Sequence, residues 1–411
     1  MPEPMSEPMP EQHLVIVLKN LGGGGIERRT LQLIQAFQQK PLPCQITLVL
    51  FQAIGECLPE VPDNITIVDL GLPYDARLTY LCSKLLPALT QALRKLKPDV
   101  ILSRLPCFNC LTVLAHRLAG CRARLVLSEH TLPFHRLLAI EKGYAPDQPL
   151  PGLLPKIVLP LMKWTYPQAD AIVAVSQGIA AELRQSLNLT QRHLRLIYNP
   201  VVDDKLMAQA QATIDHPWFQ NADIPVFLAV GRLTTQKDYP TLLRAFASVV
   251  KTHPARLVIL GEGELRSPLS TLIQQLSLQD VVDMPGFTAN PYAYMTRSHA
   301  LVLSSVWETF GTVLVEALAC GCPVIATDCN YGPREILLDG EYGTLVPVQD
   351  SHALAAAMVQ AIANPLHSGS EAQPEPQRLQ AYAHTFSVTA SADCYAKTLG
   401  LLAEHEDKGI K

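Results

Sequence analysis

No apolar run in this 411-residue chain is long and uninterrupted enough to span a bilayer. The most hydrophobic internal stretch, Leu153 to Trp164, is broken by Pro155, Lys156, Pro160 and Lys163. It falls short of the ~20 apolar residues that a membrane helix needs. Charge is also scarce: 17% of residues are charged and the net charge is −4, so no broad basic surface for nucleic acid is implied. The opening run MPEPMSEPMPEQ is proline-rich and acidic, and residues 1–12 read as a disordered tail rather than a signal peptide. The ten cysteines follow no repeated pattern. With no secretion signal, they read as reduced thiols of a cytoplasmic protein. Cys107-Phe-Asn-Cys110 has redox or zinc spacing but lacks a second pair to match it.

What is present is soluble globular material: 48% of residues are hydrophobic, over a length that suggests two or three domains. Short β-rich runs at His13–Leu18, Ile46–Phe51, Ile65–Leu70, Val100–Ser103, Arg124–Leu127 and Ala171–Val175 alternate with helical patterns at Ile26–Phe37, Leu81–Leu96 and Gly178–Leu187. This alternation predicts a parallel sheet covered on both faces. The pattern restarts after a polar segment near 201–224. Strands are expected at Pro225–Val230, Arg256–Leu260, Val281–Asp283, Ala300–Leu303 and Pro323–Thr327, with helices at Tyr239–Lys251, Leu265–Leu276 and Val313–Ala319. The expected fold class is α/β, with two Rossmann-like doubly wound parallel-sheet domains at 13–200 and 225–385 facing across a cleft. Residues 365–379 read as a polar loop. A last helix, Val388–Leu402 within 386–411, is expected to cross back to the first domain.

The chemistry concentrates at strand ends. Glu308 and Glu316 bracket Thr309-Phe310-Gly311-Thr312, where a loop enters an apolar helix that Thr309 and Thr312 can cap. A helix start offers N–H donors and partial positive charge to a phosphate, and flanking carboxylates suit sugar hydroxyls. The segment also reads as a capped core helix with two surface glutamates. Gly231-Arg232-Leu233-Thr234-Thr235-Gln236-Lys237-Asp238 puts two cations on one loop, as a diphosphate site or as a solvated basic loop, with Asp238 able to cap the next helix. Gly22 to Gly25 lets backbone approach a ligand closely, although the spaced glycines of a dinucleotide site are missing. Gly261-Glu262-Gly263 makes a turn. His130, just past a strand, is either a proton shuttle at the cleft or a structural histidine.

Together these segments resemble the family-four retaining glycosyltransferases, whose architecture is the two-Rossmann type called GT-B. Gly231-Arg232…Lys237-Asp238, Gly261-Glu262-Gly263, Gly286-Phe287 and Glu308…Glu316 stand in that family's order and spacing, as do Val175-Ser176-Gln177-Gly178, Ile197-Tyr198-Asn199-Pro200 and Gly332-Pro333-Arg334-Glu335-Ile336. The resemblance implies that Glu316 holds the ribose hydroxyls and Glu308 those of the donor sugar. It implies that Arg232 and Lys237 neutralise the diphosphate, and that backbone at Phe310, Gly311 and Thr312, with Gly23, Gly24 and Gly25, completes a phosphate cradle. Gly286 and Phe287 are placed beside the base, and His130 near the sugar's reacting carbon or its 6-hydroxyl. The donor implied is a nucleotide sugar, most simply UDP-linked, serving as co-substrate with no metal or other cofactor. The acceptor implied is a glycan or lipid-linked saccharide at the cytoplasmic membrane face. Residues 115–200 hold ten Lys/Arg against five Asp/Glu, and Leu153–Tyr166 mixes lysines with apolar residues. That segment reads either as a peripheral contact with an anionic membrane or as a core helix with snorkelling lysines.

Overall fold

The β-rich runs form strands because their branched and aliphatic side chains alternate between two covered faces. The computed structural model describes residues 11–402 apart from 23, 41, 43, 74–77, 105, 131–153, 191–192, 221–222 and 365–375. The first domain has β1 (Gln12–Leu18), β2 (Cys44–Leu50), β3 (Thr66–Asp69), β4 (Val100–Arg104), β5 (Arg124–Glu129), β6 (Ala171–Ala174) and β7 (Leu194–Leu196). They make one sheet in the order β3-β2-β1-β4-β5-β6-β7. Its described pairings are parallel, with β1 central: Leu14 lies opposite Ile46 on one side and Val100 on the other. Leu14, Ile16 and Leu18 pack on helix α1 (Gly25–Gln39), whereas Val15 and Val17 face Leu85, Leu89 and Leu93. This period of two is what a doubly covered strand requires.

The second domain repeats the scheme with β8 (Val226–Val230), β9 (Arg256–Leu260), β10 (Val282–Gly286), β11 (Ala300–Leu303), β12 (Val324–Thr327) and β13 (Thr344–Val346), ordered β10-β9-β8-β11-β12-β13. In each sheet the strand order reverses beside the first strand, between β1 and β4 and between β8 and β11. Loops leaving the carboxyl ends diverge there and open a crevice. The loops at 22–25, 231–238 and 304–311 all leave such ends.

Several expectations shift. The segment 201–224 is not merely a linker: it holds a helix, Asp204–Ala210, capped by Asp203 Oδ1 accepting from Leu206 N. The helix expected from Leu81 starts earlier, at Leu78, and passes through a π turn, Leu81–Leu85, before the α-helix Leu86–Leu96. β10 runs on to Gly286 with a register break around Pro285, which has no N–H to donate; an edge strand tolerates this. A helix starts at Pro376, inside the segment read as a loop, whose remainder at 365–375 lies outside the described residues. Residues 1–10 of the expected tail do as well.

The helix bearing Cys110, α2 (Pro106–Ala119), packs against α3 (Leu154–Thr165). Met162 and the following Tyr166 are fully buried, so this face of α3 is core, while Trp164 is exposed. No helix among the described residues is long and apolar enough to cross a membrane.

The domains are joined through their loops. Helix α4 (Gln177–Leu187), capped by Ser176 Oγ accepting from Ile179 N, takes further N-terminal support from the other domain: both Glu335 carboxylate oxygens accept from Gln177 N, at 2.8 and 2.9 Å. Ser176 Oγ donates to Thr309 O at 3.1 Å, and Tyr331 Oη donates to Glu182 at 2.6 Å. The final helix, which we number α7 (Val388–Leu399) after α5 (Tyr239–Val249) and α6 (Thr312–Ala319) of the second domain, packs on the first domain. Lys40 pairs with Asp393, and Arg124 Nε donates to Thr398 O at 2.9 Å. Phe386, on the way to α7, stacks edge-on against Phe310 of the Glu308 loop.

Gly332 makes that loop possible. Its φ is +97°, and an added Cβ would lie 1.9 Å from Phe310 O. Gly332→Ala is therefore expected to destabilise the chain by at least the ~1–3 kcal/mol of a strained backbone residue. Thermal unfolding checks this, and an unchanged melting temperature would contradict the packing.

Candidate active site

A cavity of about 450 Å³ opens at the β8/β9 end of the second domain, lined by Gly231, Arg232, Gly261, Glu262, Phe287, Thr288, Tyr292 and Glu316, and by Arg28 from the first domain. The turns around it stack backbone on backbone. Gly261, at φ +142°, leaves its Cβ position 2.1 Å from Gly231 O, a gap no side chain could occupy. Phe287 is 67% exposed at the wall, an apolar ring with a free face, while Gly286 behind it accepts from Gly261 N at 2.8 Å without lining the cavity. Arg232 is exposed, and among the described residues its guanidinium has no hydrogen-bond or ion-pair partner.

Lys237 and Glu308 lie beside this cavity rather than in its lining. Lys237 Nζ meets Glu308 Oε1 at 2.6 Å, and Ser305 Oγ donates to the same oxygen at 2.7 Å. Both side chains are largely buried, at 15% and 8% exposure. The two loops are stitched further by Gln236 Nε2 to Trp307 O at 2.9 Å, Val306 N to Gln236 O at 2.9 Å and Ser304 Oγ to Lys237 O at 2.6 Å. Lys237 Cε also lies 2.9 Å from where a Gly231 Cβ would be, which connects the pair to the cavity wall.

Two helix starts face the cleft without side-chain caps. Thr309 and Thr312 do not cap α6 as expected: Gly311 takes the N-cap position and Thr312 is the first helical residue. Gly24 is the N-cap of α1 and Gly25 its first residue, again with no side-chain cap. Such uncapped starts leave N–H donors for an anion. Gly23 lies outside the described residues. Phe310 turns its ring inward, 1% exposed between Tyr198 and Phe386, so only its backbone faces a ligand. Asp238 stands at the N-cap of α5.

Glu316, in the second turn of α6, is met across the cleft by Arg29 of α1, with Nη2 2.8 Å from Oε1. Burial raises the Glu316 carboxyl above its ordinary value, and Arg29, Arg28 and Lys237 oppose the shift. The reading from sequence missed Arg28 and Arg29. The signal was their place in the first helical turns after a glycine loop, where side chains point towards whatever that loop binds.

His130 is not among the residues lining the cavity. It sits 5% exposed at the end of β5. Arg104 Nη2 and Nε approach His130 Nε2 at 2.8 and 3.1 Å, so Nε2 is the unprotonated nitrogen. Ser128 Oγ stands 3.0 Å away and bonds Tyr395 of α7. Burial, and then the Arg104 charge, hold the imidazole well below its usual range and keep it neutral. Next to it, Glu129 accepts from Asn109 Nδ2 at 2.6 Å and from Tyr166 Oη. Burial raises the Glu129 carboxyl to about 8, so at neutral pH it is mostly a protonated, uncharged acid.

The description "Glycosyltransferase Family 4" matches residues 23–205, and "Glycosyl transferases group 1" matches residues 211–385. A Campylobacter jejuni protein described as N-acetylgalactosamine-N,N'-diacetylbacillosaminyl-diphospho-undecaprenol 4-alpha-N-acetylgalactosaminyltransferase is 30% identical over 84% of this chain and 88% of its own length. The chain belongs to the family-four glycosyltransferases. A second C. jejuni relative of this glycosyltransferase, an alpha-1,4-N-acetyl-D-galactosaminyltransferase acting on an undecaprenol-linked saccharide, is 25% identical over 82% of the chain and 86% of its own length. The fold matches lipopolysaccharide outer core galactosyltransferase WaaB (TM-score 0.72, 19% identity, 94% and 99% of the two chains). It also matches HepE of Anabaena in complex with UDP and glucose (TM-score 0.71, 19% identity, 95% and 100%). The two-domain architecture of this glycosyltransferase is therefore GT-B.

The buried acid beside His130 carries a pH signature. Unfolded, Glu129 ionises near its ordinary 4.5; folded, it holds its proton to about 8, so stability falls as pH rises through that window. Neutral His130 acts oppositely, withdrawing stability as pH drops below 6.5. Between 6.5 and about 8 only the Glu129 member of this pair of effects operates. Glu129→Gln is expected to flatten the fall in melting temperature across that interval. An unchanged slope would contradict a protonated Glu129.

Proposed function

We propose that this glycosyltransferase moves a hexose or N-acetylhexosamine from a UDP-sugar to a hydroxyl of a glycan or lipid-linked saccharide, with retention of anomeric configuration. The observation that carries this is the convergence on one crevice of Arg232, whose guanidinium has no partner among the described residues, the Lys237–Glu308 pair, an exposed Phe287 and Glu316. In this reading Phe287 covers the base and Glu316 receives the ribose hydroxyls. Arg232, Lys237 and the uncapped α6 start meet the diphosphate, and Glu308 grips the sugar. Gly24 and Gly25 close the cradle from the other domain. A metal is not needed in this scheme, because these cations and amides supply the positive charge.

Departure of the nucleoside diphosphate builds negative charge on phosphate and positive character on the sugar. Fixed donors stabilise the first without reorganising at the moment of reaction. Retention follows from attack on the face the phosphate leaves, the departing phosphate oxygen taking the acceptor proton. The alpha linkages named for the two Campylobacter relatives support retention when the donor is itself alpha-linked. The undecaprenol-linked acceptors in their names support a lipid-linked saccharide here, and in this reading the transfer takes place at the cytoplasmic membrane face. The exposed Trp164 on α3, over which Arg117 lies at 5.9 Å, is a contact of the kind an anionic membrane surface would engage. His130, held neutral, keeps a fixed polar edge near the sugar.

The test is incubation with a panel of nucleotide sugars and saccharide acceptors. Acceptor-dependent release of UDP is the expected result; tight nucleotide binding without turnover across the panel would point to a silent binding protein instead. Arg232→Ala and Lys237→Ala are each expected to lower kcat by roughly a hundredfold or more, as when a charge-stabilising donor is lost. Glu316→Ala is expected to act mainly on UDP affinity, which calorimetry reads. Wild-type rates or affinity in these variants would remove the assigned roles.

A further inference from the structure

Glu316 has a partner of its own in the first domain. Arg29 Nη2 donates to it at 2.8 Å, with the two side chains only 11% and 13% exposed. The guanidinium is itself steered: Arg29 Nη1 donates to Gln32 Oε1 at 2.7 Å, and Gln32 Nε2 donates to Asp203 Oδ2 at 2.8 Å. A rail of four side chains therefore runs from the interdomain segment along α1 to the cavity wall. Arg28, one residue earlier, lines the cavity opposite Arg232.

We propose that Arg29 is a specificity residue: by occupying Glu316 it excludes uncharged nucleosides and admits only ligands that carry phosphate. The inference rests on the ribose role given to Glu316 above. A ribose whose neighbouring hydroxyls take both carboxylate oxygens of Glu316 must displace Arg29 from Oε1 and leave a largely buried guanidinium without its carboxylate, which is unfavourable. A nucleoside brings nothing to offset that loss. A nucleoside diphosphate brings anionic oxygens into a crevice that Arg28 and Arg232 already face. Arg29 then exchanges a carboxylate for a phosphate, and a guanidinium suits either partner.

Calorimetry with UDP and with uridine, on the full chain, tests this. Wild-type protein is expected to prefer UDP strongly. In Arg29→Ala the UDP-to-uridine affinity ratio should fall by roughly tenfold or more, within the 5–150-fold range typical of coupled sites. Uridine should gain affinity and UDP should lose it. Arg29→Lys, which keeps a cation, should retain most of the ratio. If Arg29→Ala fails to fold, Arg29→Gln takes its place with the same expected fall. An unchanged ratio, or equal weakening of both ligands, overturns the proposal, because a merely structural role moves both together. Failure of the underlying reading looks different: Glu316→Ala would then bind UDP as wild type does, whatever Arg29 substitutions do.

Discussion

The ion pair between Lys237 and Glu308 is the constraint on which the crevice depends. Each charge sits on a separate loop, one leaving β8 and the other leaving β11, and both side chains are largely buried. Neither could remain there alone: removing one partner of a buried pair strands the other, typically at about 3–5 kcal/mol. The two loops therefore fold against each other or not at all. Their registration sets Gly231 and Arg232 at the cavity wall and brings Gly311 to the start of α6. The pair is also poised for exchange, since Lys237 offers two further N–H donors to an anion while Glu308 has an oxygen not engaged by the lysine.

Above that constraint stands a simple electrostatic plan. Two sheets reverse strand order beside their first strands, so each sends loops into the same crevice. Two helices begin there without side-chain caps, and Arg28, Arg29, Arg232 and Lys237 gather nearby. Two of those cations are neutralised by Glu308 and Glu316. The site thus holds its charge in reserve, balanced by the carboxylates that the proposed mechanism assigns to sugar hydroxyls. Interdomain bonds at Ser176–Thr309, Gln177–Glu335 and Glu182–Tyr331 tie the same loops to the first domain. The placement of the domains and the geometry of these loops are linked through these contacts.

Much of this was legible in the sequence where periodicity was strong. His13–Leu18, Arg256–Leu260 and Ala300–Leu303 are compact, largely apolar runs with glycine turns or helices around them, and their strands fall where expected. β7 and β13 escaped because three residues carry no readable period. Pro285 disguised the end of β10. Among site residues, Arg232, Lys237, Glu308 and Glu316 stood out because each lies on a glycine-punctuated loop or just beyond one. Arg29 did not, because its partner is 287 residues away and only the packed domains bring the two together. The same limit applied to His130: its neighbour Arg104 lies on a different strand, and nothing in the local sequence tells a buried neutral imidazole from an exposed one. Thr309 and Thr312 misled for a related reason. Their type favours capping, yet Ser176 of the other domain claims the Thr309 carbonyl, and Gly311, not either threonine, takes the N-cap position.

A crystal structure of this chain with UDP and an unreactive donor sugar bound would test the central claim most directly. The account predicts diphosphate oxygens within about 3 Å of Arg232 and Lys237, ribose hydroxyls on Glu316, and the sugar against Glu308. A nucleotide seated elsewhere, or reversed so that its base contacts Glu308 while Arg232 and Lys237 touch no phosphate, would contradict it.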